Sequence, residues 1–555
     1  MKPFIILLGI VCFVNTSYIA GQTPAFPGAE GFGANATGGR GGQVIYVTNL
    51  NCNGPGSLNE ALSVPGAKYI LFKVSGVIQC AAEVLYGDVT LAGQTSPGGI
   101  IVRGLVVDEI YEPEGTGNNI IVRHLRSRPQ NPDTYPGTGW ILDDGLRLDG
   151  AQDIIVDHCS FANALDEATQ ISNSQNISIQ YCQLAETIGY HYIYGGMLIN
   201  YSEPDHPQQN ISIHHNVWNR IGGRFPEISC ESPYCNAYPL NIELSNNLLW
   251  DINTTLWYGA NIDPSGEDYS FFVHLNFINN YAVGRATYTE AMAASSLLNY
   301  PQNQLFSSNN RLNLYPSYAD YDLFYCCNDF NLYNPNTDLG IATILTTPHS
   351  FPAITYQATN NLQAHLSQRV GAFPRDSMDR RLLASVQNNT INPSPLSDLE
   401  FVTTSDAFLL DADTPQAPQD TDNDGMPNYW ETAHSLNNSL QDHNNTNLSV
   451  SITGIPGYTN LECYLNCLAD ALVNGGSSPE CGIQLANCTF APNITGTALA
   501  CNNQLQTYSV EAIAGSTYVW TVTGGTILNG QGTHQIVVQW SNETLGTVNI
   551  LQTTP

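Results

Sequence analysis

The chain has 555 residues and a formal net charge of −31, with 17 Lys+Arg against 48 Asp+Glu. That balance excludes the basic footprint needed for nucleic acid or an anionic membrane surface, and an anionic polymer would be repelled unless cations bridged it. Only 12% of residues are charged while 42% are hydrophobic, so the polar surface rests on Asn, Thr, Ser, Gln and Tyr, which suits β-rich folding, and the length predicts two or three domains.

The chain opens "MKPFIILLGIVCFVNTSYIAGQT". Lys2 gives a short positive region, Phe4 to Val14 an apolar one, and Ala20 and Gly21 a cleavage site. Residues 1–21 therefore read as a secretory signal, and the apolar run is too short to span a bilayer. Export permits disulfides. Cys230 and Cys235 in "CESPYC" can close a small loop. Cys463, Cys467, Cys481 and Cys488 could be four zinc ligands, but bridging is favoured in an exported chain. Of the 14 cysteines, Cys12 leaves with the signal, so at least one thiol stays free. "GFGANATGGRGG" from Gly31 has no preceding strand and reads as glycine turns, not a phosphate loop.

A strand phrase then recurs: "NIIVRHL" from Asn119, "DIIVDHC" from Asp153, "NISIQYC" from Asn176, "NISIHHN" from Asn210 and "NIELSNN" from Asn241. The starts are 34, 23, 34 and 31 residues apart. Each phrase alternates apolar and polar residues, and a fixed phrase with variable insertions marks a solenoid. Its seventh position holds Leu125, Cys159, Cys182, Asn216 and Asn247, like residues at adjacent rungs, as ladders inside a parallel β-helix require. Cys159 and Cys182 are either bridged or an unbridged buried stack. A β-sandwich would not explain the recurrence. His214 and His215 are strand neighbours, predicted to face opposite ways and so not to share a metal.

"GWILDDGLRLDG" places Asp143 and Asp144 before one rung, and "ANALDEATQIS" places Asp166, Glu167 and Gln170 before the next. If Ile171 faces the core, Asp166 and Gln170 share the outer face, and stacked rungs bring Asp144 toward Asp166. Clustered carboxylates repel unless a cation sits among them, and hard oxygen ligands suit Ca²⁺. Solvated loop acids and a carboxylate pair for glycoside hydrolysis remain open alternatives.

The character changes near Ser405. "DTDNDGMPNYWE" sets Asp420, Asp422 and Asp424 at positions one, three and five, Gly425 at six, Asn428 at nine and Glu431 at twelve. That spacing wraps oxygens around one Ca²⁺ and predicts a structural calcium loop at a junction. "NYWETAH" and "YTNLECYLNCLADAL" predict helices, the second with Leu461, Leu465 and Leu468 on one face. The expected segments are a β-helix over 22–404, a calcium-binding helical linker over 405–475, and a small β-sandwich over 476–555, where short strands alternate with Gly turns.

Several blocks, in order, resemble the pectate lyases of polysaccharide lyase family 1: "AFPGAEGFGANATGGRGGQVIYVTNLNCNGPGSLNEAL", "NNIIVRHLRSRP", "DDGLRLDGAQDIIVDHCSF" and "GRFPEI". The likeness covers roughly Ala25 to Trp250 and weakens toward residue 400. The calcium loop followed by "GYTNLECYLN" resembles the tail of many bacterial members, and the last segment is similar to immunoglobulin-like modules of the polycystic-kidney-disease type. The resemblance implies an all-β chain with a right-handed parallel β-helix. It also implies cleavage of polygalacturonate by β-elimination, with Ca²⁺ and an arginine base in an Arg-x-Pro-x-x-Arg motif. By position the catalytic arginine is Arg224, and Ser229 stands where the motif would close with arginine. The acidic calcium ligand falls on Asp144 and the pair four residues apart on Asp166 and Gln170, with Asp143 or Glu167 available to replace the missing carboxylate. The substrate-binding lysine falls near "TIGYHYIYGG", where His191 is the substitute; Arg220 is a second candidate for the substrate carboxylate. Arginine's pKa lies above about 12, so positioning must do much of the work. The expected protein is a secreted, monomeric lyase for an acidic plant or algal polysaccharide. A polygalacturonase-type hydrolase would want a Gly-His-Gly and an Arg-x-Lys beside Asp143 and Asp144, and neither is present. A non-catalytic carbohydrate-binding or adhesion protein is the other alternative, and the departures from the motif speak for it.

Overall fold

In this computed structural model the described residues are 22–553, interrupted at 109–116, 138, 190–194, 253–255, 263, 286–291, 293–294, 325–339, 412–414, 476, 479–482, 485–493, 498–502, 511, 513–515 and 542–545. The predicted signal, His191, Cys481 and Cys488 lie outside them. Among the described residues no helix is long and apolar enough to cross a membrane. The chain forms two compact units, Met1–Gln484 and Leu485–Pro555.

The first unit is built on three parallel sheets of eleven, seven and nine strands. Each turn of the chain lays one strand on each sheet, the parallel β-helix that the recurring phrase predicts. The phrase strands are consecutive neighbours, and Ile120, Ile154, Ile177, Ile211 and Ile242 stand in register. All five are buried. Burying one such side chain is worth about 1.5–3 kcal/mol, so the repeat itself carries the core.

The seventh-position ladder is present and continues past the sequence phrase. Asn216 N–H donates to Asn247 Oδ1 at 3.1 Å, Asn247 N–H to Asn280 Oδ1 at 3.0 Å, and Asn280 N–H to Asn310 Oδ1 at 2.9 Å. These buried amides satisfy one another, which a lone buried amide could not. At the other end Cys182 N–H donates to Asn216 Oδ1 at 2.8 Å, and Cys159 and Cys182 are free, buried thiols. The unbridged stack is the arrangement adopted.

The sixth position turns the corner between sheets. His124, His158, Tyr181 and His215 have φ of 55°, 50°, 49° and 58°, the left-handed region. Their rings stack at 5.2, 5.0 and 4.8 Å. This corner overturns the expectation for His214 and His215. Strand alternation ends at His214, and the left-handed turn at His215 brings the two Nδ1 atoms to 2.9 Å.

Cys230 and Cys235 are bridged as predicted, and Cys52 is bridged to Cys80. Cys467 is disulfide-bonded and Cys463 is free and buried, which removes the four-cysteine zinc reading.

Helices α1 (Leu362–Arg369) and α2 (Ser377–Gln387) pack on the nine-stranded sheet. Leu362, Leu366, Leu383 and Val386 meet Val217, Leu248 and Trp250. Helix α3 (Asn428–Ala433) closes the Asp-rich loop, and α4 (Asn460–Val473) follows. The start of α4 is fixed by a capping box in which Thr459 and Glu462 exchange hydrogen bonds with each other's backbone N–H. Leu461, Leu465 and Leu468 are buried, as their spacing predicts. This tail is tied to the first rungs by Arg40–Glu462 at 2.9 Å, Tyr69–Thr459 at 3.0 Å and Lys73–Asn423 at 3.0 Å, and Tyr46 also donates to Asp420.

In the second unit, Leu505–Ser509, Gly525–Asn529 and Gln535–Trp540 form one antiparallel sheet and Thr517–Thr523 and Thr547–Thr553 another. Tyr508, Tyr518, Trp520, Ile536 and Val538 form its core.

Candidate active site and calcium loop

The seven-stranded sheet carries the candidate site. Its strands are β1 (Ala82–Val84), β2 (Leu105–Asp108), β3 (Leu146–Asp149), β4 (Thr169–Ser172), β5 (Met197–Asn200), β6 (Glu227–Ser229) and β7 (Trp257–Gly259). Alternation turns Leu146 and Leu148, Thr169 and Ile171, and Ile228 inward. The outer row then reads Arg147, Gln170, Leu198, Glu227 and Trp257 in register. A second row reads Asp149, Ser172, Asn200, Ser229 and Gly259.

The acids gather where β3 and β4 begin. Ligating oxygens of Asp144, Asp166 and Glu167 lie within 4.8 Å of one another. Asp144 is fully buried; its Oδ1 accepts from Glu167 N–H at 3.0 Å and its Oδ2 from Arg147 Nε at 2.8 Å. Burial pushes the Asp144 carboxyl up to about 7, with Arg147 opposing and Asp166 adding to the rise. Crowded, buried, hard oxygen donors fit a divalent cation such as Ca²⁺.

Of the other expected ligands, Asp143 has an exposed side chain and contributes its carbonyl, which accepts from Leu165 and Asp166 N–H at 2.7 and 3.1 Å. Gln170 sits lower on the outer row, where its Nε2 donates to Ser172 Oγ at 3.0 Å and Asn200 Oδ1 at 3.4 Å. Glu167 is the acid that gathers with Asp144 and Asp166.

Arg224 stands just before β6 and is 15% exposed at its side chain. It pairs with Glu167, and its Nε lies 2.6 Å from Glu227 Oε2. The next residue, Phe225, is buried against Trp218, ring centroids 5.9 Å apart, and is followed by a cis proline, Pro226. The rung between Glu167 and Arg224 begins with Gly195 and Gly196. A Cβ on Gly196 would lie 2.3 Å from Arg224 O, and one on Gly195 2.5 Å from Asp166 O. Only glycine lets three rungs stack this closely, so the glycine pair sets the spacing of the site.

Arg220 is placed elsewhere, against the substrate-binding role expected for it. It is buried, at the same corner of its rung as Glu186 and Asp251 in the rungs on either side. Its Nε lies 3.0 Å from Glu186 and its Nη1 3.3 Å from Asp251. Arg381 and Arg285 extend the row from either end at 2.8 and 2.6 Å. Acid and base alternate up this corner, so Arg220 is a rung of a structural ladder.

The Asp-rich loop is also assembled. Asp420, Asp422 and Asp424 present ligating oxygens within 4.8 Å of one another. Both carboxylate oxygens of Asp422 and of Glu431 are buried without a hydrogen-bond donor. So is Oδ1 of Asp442, a residue the spacing did not reveal. It is brought in when its own N–H donates to Asp424 Oδ2 at 3.1 Å. Burial, then the surrounding acids, push Glu431 up to about 8, and burial pushes Asp424 up to about 7. Orphaned buried carboxylates of this kind fit a divalent cation. Asn428 instead ties the loop to itself, its Oδ1 accepting from Thr421 N–H at 2.9 Å and its Nδ2 donating to Thr421 Oγ1 at 2.8 Å.

Fold and site together define a parallel β-helix protein with an arginine set beside a carboxylate cluster. In sequence the chain is similar to "Probable pectate lyase C" of Aspergillus fumigatus, 29% identical over 448 residues, covering 80% of this chain and 93% of that protein. The namesake in Aspergillus terreus is 28% identical over 468 residues, covering 83% and 98%. Among solved structures, the major allergen of cedar pollen is similar at 15% identity and a TM-score of 0.42, covering 62% of this chain and 92% of that one. Residues 488–554 match the model of the PKD-like domain. The likeness read from the sequence blocks is thus met by homologues that carry the pectate lyase name.

Proposed function

We propose that the chain is a secreted, calcium-assisted lyase that cleaves pectate-type polyuronates by β-elimination. The observation that supports this most is the placing of Arg224 beside the Asp144, Asp166 and Glu167 cluster on one outer sheet face. The fungal relatives named pectate lyase match over most of their length.

In a uronate, the C5 proton lies next to a carboxylate that opposes its removal. Ca²⁺ held by Asp144, Asp166 and Glu167 would bind that carboxylate and offset the charge that develops. In this reading Arg224 first gives up one guanidinium proton to solvent, and the neutral guanidine then takes the C5 proton. The C4–O bond breaks as the C4=C5 double bond forms, and the departing sugar oxygen takes a proton from solvent. Trp257, 46% exposed and beside Glu227 in the outer row, offers a flat apolar face to the adjoining sugar. The hydrolase reading is disfavoured because the Gly-His-Gly and Arg-x-Lys companions it would want beside Asp143 and Asp144 are not in the sequence. Segments 22–404, 405–475 and 476–555 are read as catalytic β-helix, calcium-stiffened linker and PKD-like module of a monomer.

The test is incubation with polygalacturonate, with and without calcium. Calcium-dependent growth of ultraviolet absorbance from unsaturated uronate ends is expected. New reducing ends without that absorbance would mean hydrolysis, and no cleavage would mean a binding protein.

For the tail loop we propose a structural Ca²⁺ bound by Asp420, Asp422, Asp424, Glu431 and Asp442. The sign of its pH dependence follows from the raised carboxyls. Without metal, their contribution is fullest below the ordinary carboxyl value of about 4.3. It is lost as pH rises through about 7 for Asp424 and about 8 for Glu431. The metal-free protein is therefore expected to lose melting temperature between pH 5 and 8, while saturating calcium restores it. At a hundredfold excess over Kd the gain is about 2.7 kcal/mol. Calorimetry of the Glu431→Gln variant should show the calcium gain largely gone.

A further inference from the structure

The cation cluster and Arg224 share a carboxylate. Glu167 is one of the three acids that crowd within 4.8 Å, and it is also the residue with which the Arg224 guanidinium pairs. Arg224 reaches it across an intervening rung whose first residues, Gly195 and Gly196, have no side chain to block the way. Its second partner, Glu227, lies outside the cluster at 2.6 Å. The cluster's other buried acid, Asp144, is likewise held by a guanidinium, with Arg147 Nη2 at 2.6 Å. Four carboxylates, Asp144, Asp166, Glu167 and Glu227, face two guanidinium groups, a formal excess of two negative charges that one divalent cation balances.

We infer that Arg224 and the bound cation compete for Glu167, so that cation binding frees the arginine toward the outer sheet face, with Glu227 as its retained anchor. This rests on the reading of the cluster as a calcium site. In the cation-free chain the guanidinium keeps Glu167 from standing as a buried uncompensated charge. A divalent cation among Asp144, Asp166 and Glu167 takes over that task. The arginine is then left with one partner on the outer face, where substrate lies. Glu227 is a positioning residue that keeps Arg224 near the site after the exchange. The cation thus serves twice, once for the substrate carboxylate and once by releasing the arginine. Coupling of this kind is reciprocal: whatever holds Arg224 on Glu167 weakens the cation, and the cation weakens that hold by the same factor.

The test is calorimetric titration of the full chain with Ca²⁺. The Asp166→Asn variant identifies the cleft phase and separates it from the tail loop. Arg224→Ala is expected to tighten the cleft phase about tenfold, within the usual range of coupling between linked sites. Arg224→Lys keeps the charge but cannot bridge Glu167 and Glu227 at once, and should tighten it about threefold. Should Arg224→Ala fail to fold, Arg224→Gln serves in its place with the same expectation. Unchanged or weaker calcium binding in the alanine or glutamine variant overturns the competition while leaving the calcium site standing. Tightening in alanine but none in lysine reduces the effect to charge repulsion and overturns displacement. Absence of any phase sensitive to Asp166→Asn removes the calcium reading and the inference with it.

Discussion

Replacing Arg224 by alanine is expected to lower kcat on polygalacturonate about 10³-fold, the middle of the range that a positioned proton-transfer group supplies. KM should change far less, because a group that acts in proton transfer contributes to the transition state more than to ground-state binding. The lysine variant should recover little, since it lacks the planar fork that spans Glu167 and Glu227. Stability gives a second readout. Without calcium, Arg224→Ala leaves the buried Glu167 carboxylate with less compensation, a cost of about 1–3 kcal/mol. Calcium at the cluster should return most of it. Arg220→Ala makes the contrasting control. Its guanidinium is buried between Glu186 and Asp251, so its loss should lower melting temperature with or without calcium while the folded enzyme keeps its kcat. Retained kcat in Arg224→Ala would remove that residue as the base.

The contrast between these arginines shows where the sequence was informative. The strand phrase was legible because the rungs solve the same problem: isoleucine or valine inside, polar residues outside and, after Leu125, a thiol or amide just past the corner. Asn216 and Asn247 could be read as a ladder for that reason, and Cys159 and Cys182 lie in it as free thiols. The tail helix was legible from the spacing of Leu461, Leu465 and Leu468, while its Thr459–Glu462 cap emerged with the structure. What could not be read were contacts between rungs whose separation depends on loop length. Arg220 was a candidate for the substrate carboxylate, but its partners Glu186 and Asp251 sit 34 and 31 residues away, one on each neighbouring rung. Glu167 and Gln170 both followed Asp166 closely, and only the observed geometry distinguishes the residue that joins Asp144 from the one that bonds to Ser172 and Asn200. Asp442 carried no signal because it lies outside the calcium-loop repeat and arrives through its backbone bond to Asp424. His214 and His215 misled because strand alternation was assumed one residue too far, into a left-handed corner.

The largest stability effect is expected far from the cleft, at Asp379 on α2. Its carboxylate accepts from Arg126 Nε at 3.1 Å, Arg128 Nη2 at 3.0 Å, Ser160 Oγ at 3.1 Å and Gln183 Nε2 at 3.2 Å. Both arginines are fully buried. They come from consecutive outward positions of one strand on the nine-stranded sheet and its continuation, and α2 is the element that covers them. Asp379→Ala leaves two buried guanidinium groups with Asp376 as their remaining carboxylate partner, at 3.3 and 2.6 Å. Breaking a buried ion pair from one side costs about 3–5 kcal/mol, because the stranded charge cannot return to water. Asp379→Asn keeps an acceptor oxygen without the charge and should cost less than the alanine variant. The measurement is urea unfolding of the first unit, read as a lower midpoint. Since this cluster lies on a different sheet from Arg224 and the acid trio, kcat of the folded fraction should be unchanged. A fall in kcat at unchanged midpoint would mean that α2 shapes the cleft, whereas a lowered midpoint with intact kcat fits its role as the clamp that lets this face of the β-helix bury two arginines.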